Sequence, residues 1–141
     1  MEVRLRRRDF LGCLAAGLAA AAVPGCAAVQ SYHVELDDGR IILQESELLS
    51  RENASDPVFL RGTGIAGGVL LIRREAADYR AIAARCTHQG CQVRPGGEFL
   101  TCPCHGSTFD LDGAVVRGPA QRPLVAFPVK VEGGRVEIDL R

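Results

Sequence analysis

The 141-residue chain has no tryptophan, only two tyrosines and five phenylalanines. A core so poor in rings has few large side chains to bury, and a small domain of this kind invites reinforcement by a metal or a disulfide. Neither sign of charge prevails, with 17 basic residues against 17 acidic ones. That balance lacks the basic footprint expected of a nucleic-acid binder. Also missing are an internal repeat, a low-complexity linker and a second domain. Beyond residue 29 no segment has the periodicity of a helix longer than about three turns. The glycines of "GTGIAGG", residues 62–68, match neither established phosphate-binding pattern and read as a flexible connection. No candidate acid–base pair marks a substrate pocket of the chain's own.

One long uncharged run is present. Residues 10–29 are dominated by Ala and Gly and follow the basic stretch "RRRDFLG". Basic residues before an apolar run have the form of an export signal. With Arg7-Arg8 paired and Phe10-Leu11 behind them, the run resembles the twin-arginine pattern, whose pathway exports folded proteins. "VPGC", ending at Cys26, resembles a lipobox, in which cleavage precedes the cysteine and its thiol becomes the lipid anchor. Several acyl chains can anchor stably where one cannot. An uncleaved helix is the rival, because about twenty apolar residues just span the hydrocarbon layer; a freely released protein is the third outcome. All three place the folded part outside the cytoplasmic membrane, on its periplasmic side. Cys13, inside the run, reads as a small hydrophobe. The expected organisation is a signal over 1–25, anchor cysteine and linker over 26–31, and one folded domain over 32–141.

Within that domain the pattern is of strands. "YHVELDDGRIILQ" gives two alternating runs around Asp37-Asp38-Gly39, which predicts a β-hairpin. "GGVLLIRR" and "YRAIAARC" have strand character, although the alanines of the second also suit a helix. In the tail, "LVAFPVKVE", Gly133-Gly134 and "RVEIDL" predict a closing hairpin, with Pro128 at an edge or a bend. Strands punctuated by Gly and Pro imply a compact antiparallel all-β fold.

Two cysteine–histidine runs, "CTHQGC" and "CPCHGS", fall between strands. Each supplies one thiolate and one imidazole at short spacing: Cys86 with His88, and Cys102 with His105. His33 stands alone and reads as a surface histidine. Two cysteines and two histidines also suit zinc, so the bare spacing does not decide the metal. Cys91 and Cys104 remain. They can pair with each other in an oxidising compartment, or all four cysteines can form two disulfides with the histidines incidental.

"CTHQGC" and "CPCHGSTFD", separated by ten residues and followed by "GPA" at 118–120, resemble the Rieske iron–sulfur proteins over most of the chain after the linker. The resemblance implies a Rieske-like antiparallel β sandwich with two cluster-binding loops, the cluster-binding part lying at about 84–122. It implies one [2Fe–2S] cluster, with Cys86 and Cys102 on one iron, His88 and His105 on the other, and a disulfide between Cys91 and Cys104. It further implies that Ser107 donates its hydroxyl to a bridging sulfide, unless that hydroxyl bonds only to backbone, and that Pro119 lies in a loop covering the cluster. Gly90 and Gly106 would permit tight turns. Arg117 and Arg122 are solvated surface charges or guides for a negatively charged partner.

Two ferric ions, two sulfides and two thiolates make the oxidised centre formally neutral. Imidazoles in place of two thiolates raise its potential to the range of about −150 to +300 mV. The negative charge gained on reduction favours protonation of a ligating histidine at its distal nitrogen. The implied function is one-electron transfer outside the cytoplasmic membrane, as a subunit or carrier that depends on a redox partner for catalysis. A quinol-oxidising cytochrome b complex suits the disulfide, the export signal and the histidines. The short link between anchor and fold stands against it, as does Phe109. The small subunit of a molybdenum oxidoreductase of the arsenite-oxidase kind and a zinc-stabilised binding module are the alternatives. Phe109 stands where the high-potential subset has tyrosine, so no hydroxyl there bonds a ligand thiolate. Phe109→Tyr is therefore expected to raise the midpoint potential in a redox titration; an unchanged or lower value would contradict the role given to this position.

Overall fold

The computed structural model describes residues 29–51 and 53–141. The signal segment, Cys13 and Cys26 lie outside the described residues. The fold is all-β apart from one five-residue helix, and three sheets account for its strands.

A five-stranded sheet stands in the middle. It contains β1 (Ser31–His33), β3 (Val58–Arg61), β4 (Val69–Glu75), β5 (Asp78–Ala83) and β10 (Ala126–Phe127), adjacent in that order. The helix α1 (Glu45–Leu49) follows β2 (Arg40–Gln44). With β11 (Val129–Glu132) and β12 (Arg135–Asp139), β2 forms a second sheet in the order β11-β12-β2. The third sheet is a meander of β6 (Arg94–Gly96), β7 (Phe99–Thr101), β8 (Thr108–Asp110) and β9 (Val115–Arg117). Every pairing is antiparallel except β1 with β3.

The unbroken apolar run of β4 explains this layering. Successive side chains on a strand point to opposite faces, and a strand buried on both faces reads as a continuous hydrophobic run. Val69 and Leu71 enter a core shared with Ile41, Val136 and Ile138 of the three-stranded sheet. Leu70 and Ile72 enter a separate core with Leu100 and Phe109 of the meander, and with Cys86, Val93 and Cys102. β3 divides likewise, with Val58 and Leu60 on the first side and Phe59 on the second. So does the β5 segment, where Tyr79 and Ala81 oppose Ile82 and Ala84. The middle sheet thus serves two cores, and the cysteines belong to one of them.

The closing hairpin forms as expected, β11 pairing with β12 across Gly133-Gly134. Pro128 marks a bend with a definite purpose. The residues before it pair with β5 in the middle sheet, and those after it pair with β12 in the second. Proline has no N–H to donate, so its place at the change of sheet costs no ladder bond; its carbonyl still accepts from Asp139 N–H at 3.0 Å.

The hairpin predicted over 32–44 does not form. Its turn is present, with Asp37 bridged to Arg40, but the arms diverge. Residues Ser31–His33 run parallel to β3, and β2 joins β12 in another sheet. Alternation alone specifies which face of a strand is apolar; it does not name the partner. The expected linker is shorter too, since Val29 packs on the core, Gln30 accepts a bond from Phe59 N–H at 2.8 Å, and Ser31 opens β1.

Leu70 and Leu71 are neighbours serving opposite cores, and burial of such a side chain stabilises by about 1.5–3 kcal/mol. Leu70→Ala and Leu71→Ala should each cost about 2–5 kcal/mol, measured by denaturant unfolding, and only Leu70→Ala should also loosen the core that holds Cys86 and Cys102, read by the reactivity of their thiols toward a thiol reagent.

Candidate metal centre

Three loops converge at one end of the meander. The first, residues 84–93, joins β5 to β6 and is closed at its base by Val93 N–H to Ala84 O at 3.0 Å. The second, residues 102–107, joins β7 to β8 above the Thr101–Thr108 pair. The third, residues 118–125, follows β9 and contains a cis peptide between Gly118 and Pro119.

The first two loops share one backbone design. In the first, Cys86 N–H bonds Cys91 O at 2.8 Å and Cys86 O accepts Gly90 N–H at 2.8 Å. In the second, Cys102 N–H bonds Ser107 O at 2.8 Å and Cys102 O accepts Gly106 N–H at 3.0 Å. A glycine four residues after the leading cysteine closes each ring, Gly90 at φ +78° and Gly106 at φ +76°. Side chains other than Asn or Asp rarely adopt that left-handed conformation. At Gly106 a Cβ would have open space around it, so backbone conformation alone calls for glycine there.

Within this frame, sulfur is buried and nitrogen exposed. Cys86 and Cys102 are each 2% exposed and carry no disulfide. His88 and His105 are exposed, with ring centroids 5.1 Å apart and planes at 86°. Cys91 and Cys104 are joined by a disulfide whose Cα atoms stand 6.4 Å apart, and it ties the first loop to the second. The sulfurs of Cys91, Cys102 and Cys104 lie within 4.8 Å of one another, but two of them are spent in that bond. Cys102 alone of the three has a thiol to offer a metal.

Burial pushes the Cys102 thiol up, and the neighbouring Cys86 sulfur adds to the effect; the backbone N–H groups of Cys104 and His105 pull the other way. A buried thiol raised in this way is poorly placed to ionise unless a cation shares it. Backbone donors already turned toward the Cys102 sulfur suit it as a thiolate. Ser107 adds a further sign of fit. It is fully buried, and its Oγ accepts Ala120 N–H at 2.9 Å. Its own hydroxyl proton has no protein acceptor among the described residues, which leaves a buried donor to be satisfied. The residues present therefore fit a centre that takes two thiolates, two imidazoles and a hydroxyl bond.

Ala120 N–H also ties the third loop to the second, and Thr87 Oγ1 donates to Arg122 O at 2.6 Å, tying the third to the first. Neither Thr87 nor Ala120 was singled out by sequence. Their partners are 35 and 13 residues away, and nothing local encodes such a contact. Phe109 is fully buried beneath the loops in the core that holds both free cysteines. Pro119 is exposed on the third loop, and His33 is an exposed residue of β1 away from these loops.

Cys91→Ser or Cys104→Ser removes the covalent brace without removing a free thiol or an imidazole. The expected loss is about 3 kcal/mol of stability for a loop of this length. Metal content on purification should persist, and the bound group should be lost sooner under heating, followed by absorbance together with disulfide mapping.

A family model described as the Rieske [2Fe-2S] domain matches residues 40–128. The cytochrome b6-f complex iron-sulfur subunit of Gloeobacter violaceus is 37% identical over 100 residues, covering 66% of this chain and 53% of that protein. Subunit 2 of the same complex from Nostoc is 42% identical over 74 residues, covering 49% of this chain and 42% of the relative. The chain thus spans about half the length of the curated relatives it matches. Among solved structures, a chain in the complex of reduced oxygenase and oxidised ferredoxin of carbazole 1,9a-dioxygenase aligns with a TM-score of 0.50 at 25% identity, covering 60% of this chain and 81% of that one. A match over most of the described fold, including all three loops, is decisive: the chain belongs to the Rieske [2Fe-2S] domain family, whose cofactor is the [2Fe–2S] cluster.

Proposed function

We propose that this protein transfers single electrons outside the cytoplasmic membrane, as the iron–sulfur subunit or carrier of a quinol-linked oxidoreductase system. One observation carries the reading: two buried cysteines without a disulfide and two exposed imidazoles, edge to face at 5.1 Å, stand on the same pair of disulfide-braced loops. In this proposal the buried Cys86 and Cys102 would hold one iron of the cluster, and the exposed His88 and His105 would hold the other. When bound, the cluster supplies a one-electron couple of raised potential, because imidazole replaces thiolate at one iron.

The chain's own residues do the rest. Backbone N–H groups of Cys104 and His105 offset charge on the Cys102 sulfur. The Ser107 hydroxyl, held in place by Ala120 N–H, would be free to donate to the bound group and stabilise its negative charge. Leu100, Phe109 and Leu124 wall the sulfur side from water. Exposure of His88 and His105 would give a redox partner direct access to the imidazoles. The cytochrome b6-f subunits among the relatives support a quinol-linked partner. The export-type signal and the disulfide support the extracytoplasmic side, with attachment through Cys26 or a retained apolar segment. No helix of the described residues is long and apolar enough to cross a membrane.

Iron and acid-labile sulfide in equal amounts are expected in the purified protein. His88→Ala or His105→Ala should abolish the reduced-state EPR signal of the normal centre. Zinc without sulfide, or an unchanged spectrum in either variant, would defeat the assignment.

A further inference from the structure

The loop segments 84–94, 102–108 and 115–125 contain four arginines and neither aspartate nor glutamate. Over the rest of residues 29–141, nine basic side chains stand against fifteen acidic ones. Charge is therefore segregated within a chain whose formal total is zero.

Each of the four arginines lies within one of the three loops or at its strand end. Arg85 precedes Cys86, and its Nε would come within 3.0 Å of a Cβ at Gly90, so its side chain lies along the first loop. Arg94 is opposite Thr101, next to Cys102. Arg117 is opposite Thr108, which follows Ser107. Arg122 receives the Thr87 hydroxyl on its carbonyl, which fixes it beside His88. All four are exposed.

Among the described residues none of the four makes an ion pair; of the nine basic side chains elsewhere, Arg40, Arg74, Arg80, Lys130 and Arg141 are paired with a carboxylate, and Arg51, Arg61, Arg73 and Arg135 are not. The nearby carboxylates are engaged or remote. Asp112 is held by Arg74 and Arg80. Asp110 accepts the backbone N–H groups of Asp112 and Ala114. Glu98 occupies the β6–β7 turn, at the far end of that hairpin from Arg94. Uncompensated guanidinium groups of one sign around a tip repel one another and gain from an anionic surface brought against them. Their fields reach about 8–10 Å at moderate salt, far enough to orient an approaching protein.

We infer that this tip docks the acidic face of an electron-transfer protein, one that presents carboxylates around its own redox centre. The inference rests on the tip being the electron outlet. One electron passes to the acceptor by way of an imidazole, no atom is transferred, and the arginines set the encounter rate and the orientation. Anionic lipid would attract the same charges but would cover both imidazoles.

Stopped-flow oxidation of the reduced, cluster-loaded protein tests this, with an acidic plastocyanin and a basic cytochrome c of matched driving force as acceptors. At low ionic strength the acidic acceptor should react faster, and its rate should fall as salt rises. Arg117→Gln combined with Arg122→Gln should slow that acceptor at least about fivefold, with unchanged optical and EPR spectra. Preference for the basic acceptor, as the acidic excess over residues 29–141 dictates, would overturn the inference, and so would an unaltered rate in the double variant. Co-sedimentation with phosphatidylserine vesicles that the double variant loses, its acceptor rates unchanged, would assign these arginines to lipid and overturn it equally. A preparation lacking the cluster spectrum would reduce neither acceptor; that result fails the electron-transfer reading itself and is distinct from a wrong charge preference.

Discussion

Two hairpin loops from different places in the chain have to meet face to face, and the Cys91–Cys104 bond holds them there. Without it, the first loop would be held to the second by packing of Cys86 with Cys102 and of His88 with His105, and through the third loop by the Thr87–Arg122 and Ala120–Ser107 contacts. Each loop is internally stiff, since a ring of two backbone bonds closes around its leading cysteine. What each lacks by itself is a fixed distance to the other. The disulfide supplies that distance, and the burial of Cys86 and Cys102 in a common core supplies the depth. A site assembled this way is set by covalent and packed constraints before any metal enters, as preorganised centres require.

The meaning of the cysteine count follows from that arrangement. Six cysteines in the sequence could serve lipid, metal or disulfide, and spacing alone left zinc, iron and a pair of disulfides all open. The cysteines that carry no disulfide are the buried ones, which separates the brace from the ligand candidates by environment. The resemblance of the two runs to Rieske proteins had implied a bond between Cys91 and Cys104, and the structure has that bond; the ligand roles of Cys86 and Cys102 belong to the proposal.

Much of the site was legible because its chemistry is local. Cys86 with His88, and Cys102 with Cys104 and His105, are neighbours in sequence, so the residue types announce themselves within a few positions. The terminal hairpin was equally legible, since alternation and a Gly-Gly turn lie side by side. The supports were not. Thr87 looks like any loop threonine until the third loop folds back and offers Arg122 O. Nor does alternation around Asp37-Asp38-Gly39 reveal that the arms belong to different sheets, because a partner is chosen by whichever edge the rest of the chain leaves open. Ser107 sat between these cases: the sequence offered a hydroxyl, and the fold showed that it accepts one backbone bond while keeping a proton to give.

The middle sheet has a consequence for how such a protein can change over generations. Its β4 run faces the iron-side core with Leu70 and Ile72, and the opposite core with Val69 and Leu71. The three-stranded layer is therefore insulated from the sulfur atoms by the full thickness of a sheet. Lineages can lengthen, recharge or rebuild that outer layer to suit new neighbours, and the geometry that tunes the couple is inherited untouched.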